Sequence, residues 1–237
     1  MSLTVLITGF GPFPGAPFNP TADLVRRLAH RQSASECRRI AHVFHVSYAA
    51  VAAELPKLIA QHRPDVVLMF GLAARTRFVR IETRAVNARS LLSPDADGAW
   101  PASRTIDRQG PQARAGRAPH RRLLGAARAS RVPARLSGDA GRYLCNFAFW
   151  LALEAIPHGP AVVQFIHVPL VRTAPVPQPR SQRRLSLADL ERAAEAMLGV
   201  LATAARNKRS RAPAAAIAPA PTAGAKAALR QAVIEPA

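Results

Sequence analysis

The chain alternates short apolar runs with stretches in which apolar residues recur at helical spacing. Leu3-Thr-Val-Leu-Ile-Thr8 is apolar and β-branched, as a buried strand should be. A rigid loop with two aromatics follows, Gly9-Phe10-Gly11-Pro12-Phe13-Pro14-Gly15. Asn19-Pro20 then reads as an N-cap with proline at the first helical position, opening a helix through Leu24, Val25 and Leu28 to about Arg31. Arg39–Val46 predicts a second strand. Ser47 is expected to cap a helix carrying Val51, Leu55, Leu58 and Ile59, which Pro64 and Asp65 break. Val66–Gly71 is a third, wholly apolar strand. This rhythm of strand and helix is that of a parallel α/β sheet, in which sites gather at the carboxyl ends of strands. The Phe10–Phe13 loop and the Gly71–Arg75 loop both fall there.

The second half is less regular. Residues 78–87 alternate apolar and polar, which predicts one strand with a wetter face. Residues 88–112 are rich in Ser, Pro, Asp and Gly and read as a surface excursion. Ala118–Ser130 suggests a basic amphipathic helix, Val132–Leu136 a short strand, and Ala161–Val168 another core strand. Between these last two lies Gly141-Arg-Tyr-Leu-Cys145-Asn-Phe147, a loop turning into a helix that ends near Ile156, with Cys145 in its first turn. Residues 172–184 read as a proline- and arginine-rich loop, Ser186 to about Arg206 as a last helix, and 211–237 as an Ala/Pro-rich tail. Gly9-x-Gly11 after a strand is not a dinucleotide fingerprint, because Pro12 and Pro14 occupy the turn and no third glycine opens the helix.

Composition changes this picture little. The net charge of +19 invites a nucleic-acid partner. The positive residues are mostly scattered arginines, however, and the interleaved aromatics of a single-strand platform are lacking. Two cysteines, Cys37 and Cys145, make no disulfide framework or metal-ligand spacing. The N-terminus lacks a basic region before its apolar run, and no apolar run approaches the ~20 residues of a membrane span. A soluble cytoplasmic protein without metal or cofactor is the expectation.

The chemistry-bearing residues are Cys145 at a helix start, His167 at a strand end and Glu82 within a strand. A helix N-terminus carries partial positive charge and favours an anion. Nucleophile, base and orienting carboxylate are the trio that acyl transfer requires. Spacing alone does not join them: Cys145 and His167 could be core residues, and Glu82 could be half of a surface pair with Arg80 or Arg84.

Four motifs, in order, resemble the pyroglutamyl peptidase I family of cysteine peptidases. They are Thr8-Gly-Phe-Gly-Pro-Phe13 with Asn19-Pro20, Glu82-x-x-Ala85-x-Asn87, Asp139-Ala-Gly-Arg-Tyr-Leu-Cys145-Asn146, and Phe165-Ile-His167-Val-Pro169. The resemblance spans Leu6 to about Leu201. It implies Cys145 as nucleophile, His167 as base and then acid, Glu82 as its orienter, and removal of N-terminal pyroglutamate from peptides through a thioester. It also implies a pocket for a neutral lactam, to which Phe10, Phe13, Asn19, Tyr143 and Leu144 are assigned. Arg75 is assigned to oxyanion support, and homo-oligomers, commonly tetramers, are implied. The chain departs from the family's Gln-Ala-Gly-Gly-Arg loop with Leu72-Ala73-Ala74-Arg75. Pattern and resemblance together give a single three-layer α/β/α domain over 1–210, with a mixed, mostly parallel central sheet. The alternatives are a related thiol amidohydrolase acting on another blocked N-terminus, and a catalytically silent basic protein that binds nucleic acid.

Overall fold

A computed structural model describes residues 2–13, 15–31, 37–157, 161–172 and 184–211. The elements are β1 (Leu3–Phe10), α1 (Pro20–His30), β2 (Cys37–Phe44), α2 (Tyr48–His62), β3 (Val66–Leu72), β4 (Val79–Glu82), β5 (Arg84–Val86), β6 (Ala113–Ala115), α3 (His120–Ala129), β7 (Ala134–Ser137), α4 (Leu144–Ala155), β8 (Val162–Val168) and α5 (Leu187–Arg211). Most of the loop expected over 172–184, and the tail beyond Arg211, fall outside the described residues. No helix among the described residues is long and apolar enough to cross a membrane.

Six strands form one sheet in the order β2-β1-β3-β8-β4-β7. The first four run parallel, and β4 enters antiparallel to β8 with β7 parallel to β4. The sheet is therefore mixed and mostly parallel, as expected. Alternation along the strands sorts the core into two halves. Val5, Ile7, Leu68, Ile81 and Ile166 pack with α1, α3 and α5, while Leu6, Val67, Met69, Val163 and Phe165 pack with α2 and α4. Val79 and Ile81 belong to the first half, so Arg80 and Glu82, the alternate residues of β4, face the α4 side.

Local sequence accounts for most element boundaries. Asn19 Oδ1 accepts the Thr21 amide at 3.1 Å and caps α1, and Asn19 Nδ2 reaches back to the Gly11 carbonyl. Ser47 occupies the N-cap of α2 but makes no side-chain capping bond. Asp95 does this from the 88–112 excursion, where Oδ2 accepts the Tyr48 amide at 2.9 Å. The single strand expected over 78–87 is two. At Thr83 the amide and hydroxyl both turn to the Ser137 carbonyl, ending β4. Arg84–Val86 then pairs antiparallel with β6 in a separate ribbon.

That ribbon is tied to α4 through Arg114, which pairs with Glu154 at 2.8 Å, and through the backbone of β5. Asn146, fully buried, accepts the Val86 amide at 2.8 Å and donates to the carbonyls of Val86 and Ala88. Replacing it leaves three backbone groups without partners in a dry site. Asn146→Ala should lower unfolding stability by about 2–4 kcal/mol, read as a lower denaturant midpoint at unchanged slope.

Candidate active site

Cys145 is the second residue of α4, and three features put it there. Gly141 adopts φ +81°, a left-handed conformation that glycine enters freely, and its amide bonds to Asp139 Oδ1 at 3.0 Å. Tyr143 takes the N-cap position with extended backbone. The helix that follows buries Phe149, Trp150 and Ala152 completely. Apolar burial of about 1.5–3 kcal/mol per large side chain seats it on the sheet and fixes its first turn over the carboxyl end of β3.

There the sulfur meets Gly71. A Cβ added at that position would lie 2.7 Å from Cys145 Sγ and 2.8 Å from the Phe165 ring, so only glycine leaves room for the thiol. Gly71 pairs in register with His167 on the neighbouring strand β8. His167 is buried and shares a hydrogen bond with the Cys145 side chain. Its Nδ1 meets Glu82 Oε1 at 2.8 Å, and the Glu82 side chain is 0% exposed. The antiparallel register of β4 on β8 sets Glu82 opposite Phe165 and Arg80 opposite His167, which brings both to the ring from one strand.

The three residues singled out in the sequence as a trio are thus contiguous. Burial pulls the His167 pKa down. The charge and hydrogen bond of Cys145, then the hydrogen bond and charge of Glu82, outweigh it and leave the ring raised to about 9. The fold holds the His167 ring between a sulfur and a carboxylate.

The other expected residues are placed as follows. Phe13 and Tyr143 line a cavity of about 430 Å³ with Ser90, Ser93, Pro94 and Asp95. The Tyr143 hydroxyl donates to the Pro94 carbonyl at 2.9 Å. Phe10 does not line this cavity: it lies in the core against Phe44, ring centres 5.9 Å apart. Leu144 is buried in the same core half. Asn19 is occupied in the α1 cap and the Gly11 loop. Arg75 is exposed on the turn after β3. A larger surface cavity, about 750 Å³ between the end of α3 and the start of α5, lies on the opposite face of the sheet from Cys145.

Two residues enter that sequence reasoning had not assigned to the site. Arg80 Nη2 lies 3.0 Å from Glu82 Oε1. The pair anticipated as a surface contact exists, but its carboxylate is buried, and Arg84 turns to the Gly138 carbonyl instead. Tyr48 stacks edge-on against Tyr143 and Phe147, and its buried hydroxyl has no hydrogen-bond partner among the described residues. Burial first, then the neighbouring Tyr143, Asp95 and Cys145, push its phenol up to about 12, against a smaller opposing pull from Arg89. It stays a proton donor. Spacing of two along a strand was the available signal for Arg80; a helix-start aromatic gave none for Tyr48.

Comparison with known proteins gives the family. A family model described as pyroglutamyl peptidase matches residues 3–203. The chain belongs to the pyroglutamyl peptidase family. It is 32% identical over 185 residues to the pyrrolidone-carboxylate peptidase of Thermococcus onnurineus, covering 77% of this chain and 92% of that protein. It is 33% identical over 165 residues to the Pseudomonas fluorescens pyrrolidone-carboxylate peptidase, covering 70% and 78%. The solved pyrrolidone carboxyl peptidase of Thermococcus litoralis superposes with a TM-score of 0.75 at 28% identity, over 86% of this chain and 96% of that one. Pyroglutamyl peptidase I from Bacillus amyloliquefaciens gives 0.75 at 28%, over 85% and 96%. Family membership makes the chain a hydrolase of the cysteine peptidase type.

The charge balance at His167 can be read directly. Cys145→Ser removes the sulfur's charge from the ring, so the His167 pKa should fall below its value of about 9. Titration of the imidazole resonances by NMR in the two proteins checks this; an unchanged pKa would mean that the sulfur carries no charge beside the ring.

Proposed function

We propose that this protein removes N-terminal pyroglutamate from peptides, with Cys145 as nucleophile, His167 as proton carrier and Glu82 as the group that orients His167. The observation that carries it is the continuous contact from Glu82 Oε1 through the His167 ring to the Cys145 thiol. A carboxylate on Nδ1 fixes the proton there and turns Nε2 toward the sulfur. The thiolate attacks the scissile carbonyl carbon. His167 gives its Nε2 proton to the departing amine, and a thioester to Cys145 remains. Water then attacks the thioester while Nε2 takes its proton, the carbon–sulfur bond breaks, and the pyroglutamate carboxylate leaves.

The amides of the first turn of α4 have no partners within the helix and are the donors that would meet an oxyanion formed beside Cys145. Arg75, exposed on its turn, would support that charge only by swinging inward. Phe13 and Tyr143 serve as walls for the lactam, with Phe10 and Leu144 packed behind them. Asn19 shapes the same loop through the Gly11 carbonyl. A small uncharged ring suits such a lining. A free α-amino group would bring a charge into it at a cost of several kcal/mol, which selects a blocked N-terminus.

A related amidohydrolase function on another blocked N-terminus draws on one observation. The turn Leu72-Ala73-Ala74-Arg75 offers no side-chain amide to a lactam, although its Ala73 amide bonds the Val168 carbonyl at 2.8 Å. A panel of pyroglutamyl, acetyl and formyl amides separates the two functions.

The reduced protein should release amine from a fluorogenic pyroglutamyl amide, and Cys145→Ser should lower kcat/KM by on the order of 10³-fold or more. Because the thiolate–imidazolium form is the reactive one, kcat/KM should fall as pH rises through about 9, where His167 loses its proton. No turnover of the pyroglutamyl amide by the intact protein overturns the substrate; full activity in Cys145→Ser overturns the nucleophile.

A further inference from the structure

Glu82 Oε1 serves two cations at once. It lies 2.8 Å from His167 Nδ1 and 3.0 Å from Arg80 Nη2. The other oxygen, Oε2, is buried and has no partner among the described residues. The imidazole and the guanidinium therefore compete for one oxygen of this carboxylate. Arg80 is itself held in place: the same Nη2 reaches Ser137 Oγ at 3.0 Å and the Asp139 carbonyl. Those residues lead through Gly141 into the turn that presents Cys145.

We propose that Arg80 is a positioning residue that weakens the grip of Glu82 on the His167 proton, so that the ring can become a base once Cys145 is acylated. The charged groups against His167 are Cys145 from α4 and Glu82 from β4; Arg80 of β4 lies cross-strand from it and bonds the same carboxylate, and β3 presents only the uncharged Gly71. In the free protein the sulfur's charge helps to hold the proton on the ring. In the thioester that charge is gone, and the ring must take a proton from water. A buried carboxylate acting alone on Nδ1 would keep the ring protonated and stall the second half of the reaction. Arg80, one shared oxygen away, opposes this in two ways. It draws electron density from Oε1, and it repels the imidazolium directly in a site where little water screens the charges. The acid needed for the first half comes from Cys145 and Glu82 together, while the base needed for the second comes from Glu82 and Arg80 together. Arg80's part in the thioester stage rests on the Cys145 mechanism proposed above; its effect on the His167 proton does not.

The experiment therefore begins with titration. Cys145→Ser stands in for the state without the sulfur's charge. Adding Arg80→Gln to it should raise the His167 pKa, by NMR, by about one unit or more. Arg80→Lys, which keeps the charge, should return it most of the way. An unchanged His167 pKa in Cys145→Ser/Arg80→Gln overturns the proposal whether or not the protein is a peptidase. If a lone buried carboxylate prevents folding, the comparison is made between Glu82→Gln and Glu82→Gln/Arg80→Gln. There the direct repulsion alone should still raise the pKa on loss of Arg80, and no rise overturns the proposal.

In the protein with Cys145 intact, Arg80→Gln should show a burst of amine release followed by slow turnover, with kcat and KM both reduced and acyl-enzyme visible by mass spectrometry. A structural defect would instead lower the burst amplitude. Arg80→Gln without a burst, at normal kcat, rejects the role in deacylation. An inactive wild-type protein rejects the peptidase mechanism and leaves the titration to decide Arg80.

Discussion

Glu82 is a carboxylate with no exposed surface, set at the end of a short strand one in from the edge of the sheet. A charge withdrawn from water to this degree is costly unless other charges and hydrogen bonds meet it. The surrounding structure supplies them from two strands. β4 runs antiparallel against β8, which sets Glu82 diagonally across from His167 and puts Arg80 beside the same oxygen. β7, paired to β4, delivers Ser137 and Asp139 to Arg80. The chain then turns through Gly141 into α4, so the arrangement that answers the carboxylate also delivers Cys145, the proposed nucleophile. Strand direction, a buried ion group and the contact of sulfur with imidazole are consequences of one placement.

The sequence was most legible where a residue acts on its own neighbours. Apolar runs gave β1, β3 and β8, and Asn19-Pro20 gave the start of α1, because these signals are local. It was least legible around Thr83. Alternation over 78–87 satisfies one long strand and two short ones equally, and what divides them is a bond to Ser137, a residue 54 positions away. Ser47 misled for the same reason: Asp95, far along the chain, caps α2 in its place. Phe10 sits among Gly and Pro and reads as a loop aromatic, yet it is the last residue of β1 and faces the core. Spacing could nominate Cys145, His167 and Glu82, and family resemblance could rank them. Only the register of β4 on β8 joins them, and that register also revealed Arg80.

The site divides its labour between rigid and adaptable parts. Glu82 and His167 are buried and held by sheet pairing, which suits groups proposed to keep fixed distances. The cavity assigned to the lactam is built from Phe13, Tyr143 and the 88–112 excursion, a surface segment held by Asp95 and Asn146. If it is the substrate pocket, changes of specificity are more easily accommodated there than in the trio, since a loop can be re-formed without disturbing the ladder.

Gly71 offers no side chain to the reaction, yet its missing atom matters. The space that a methyl group would need at position 71 is the space the Cys145 sulfur fills. Packing and chemistry therefore compete for one volume. Any enlargement at 71 must be matched by a displaced ring at 165 and a smaller or displaced atom at 145. Elsewhere in the sheet one apolar residue can be exchanged for another. At this contact the exchange is closed, because it would cost the thiol on which the proposed reaction rests.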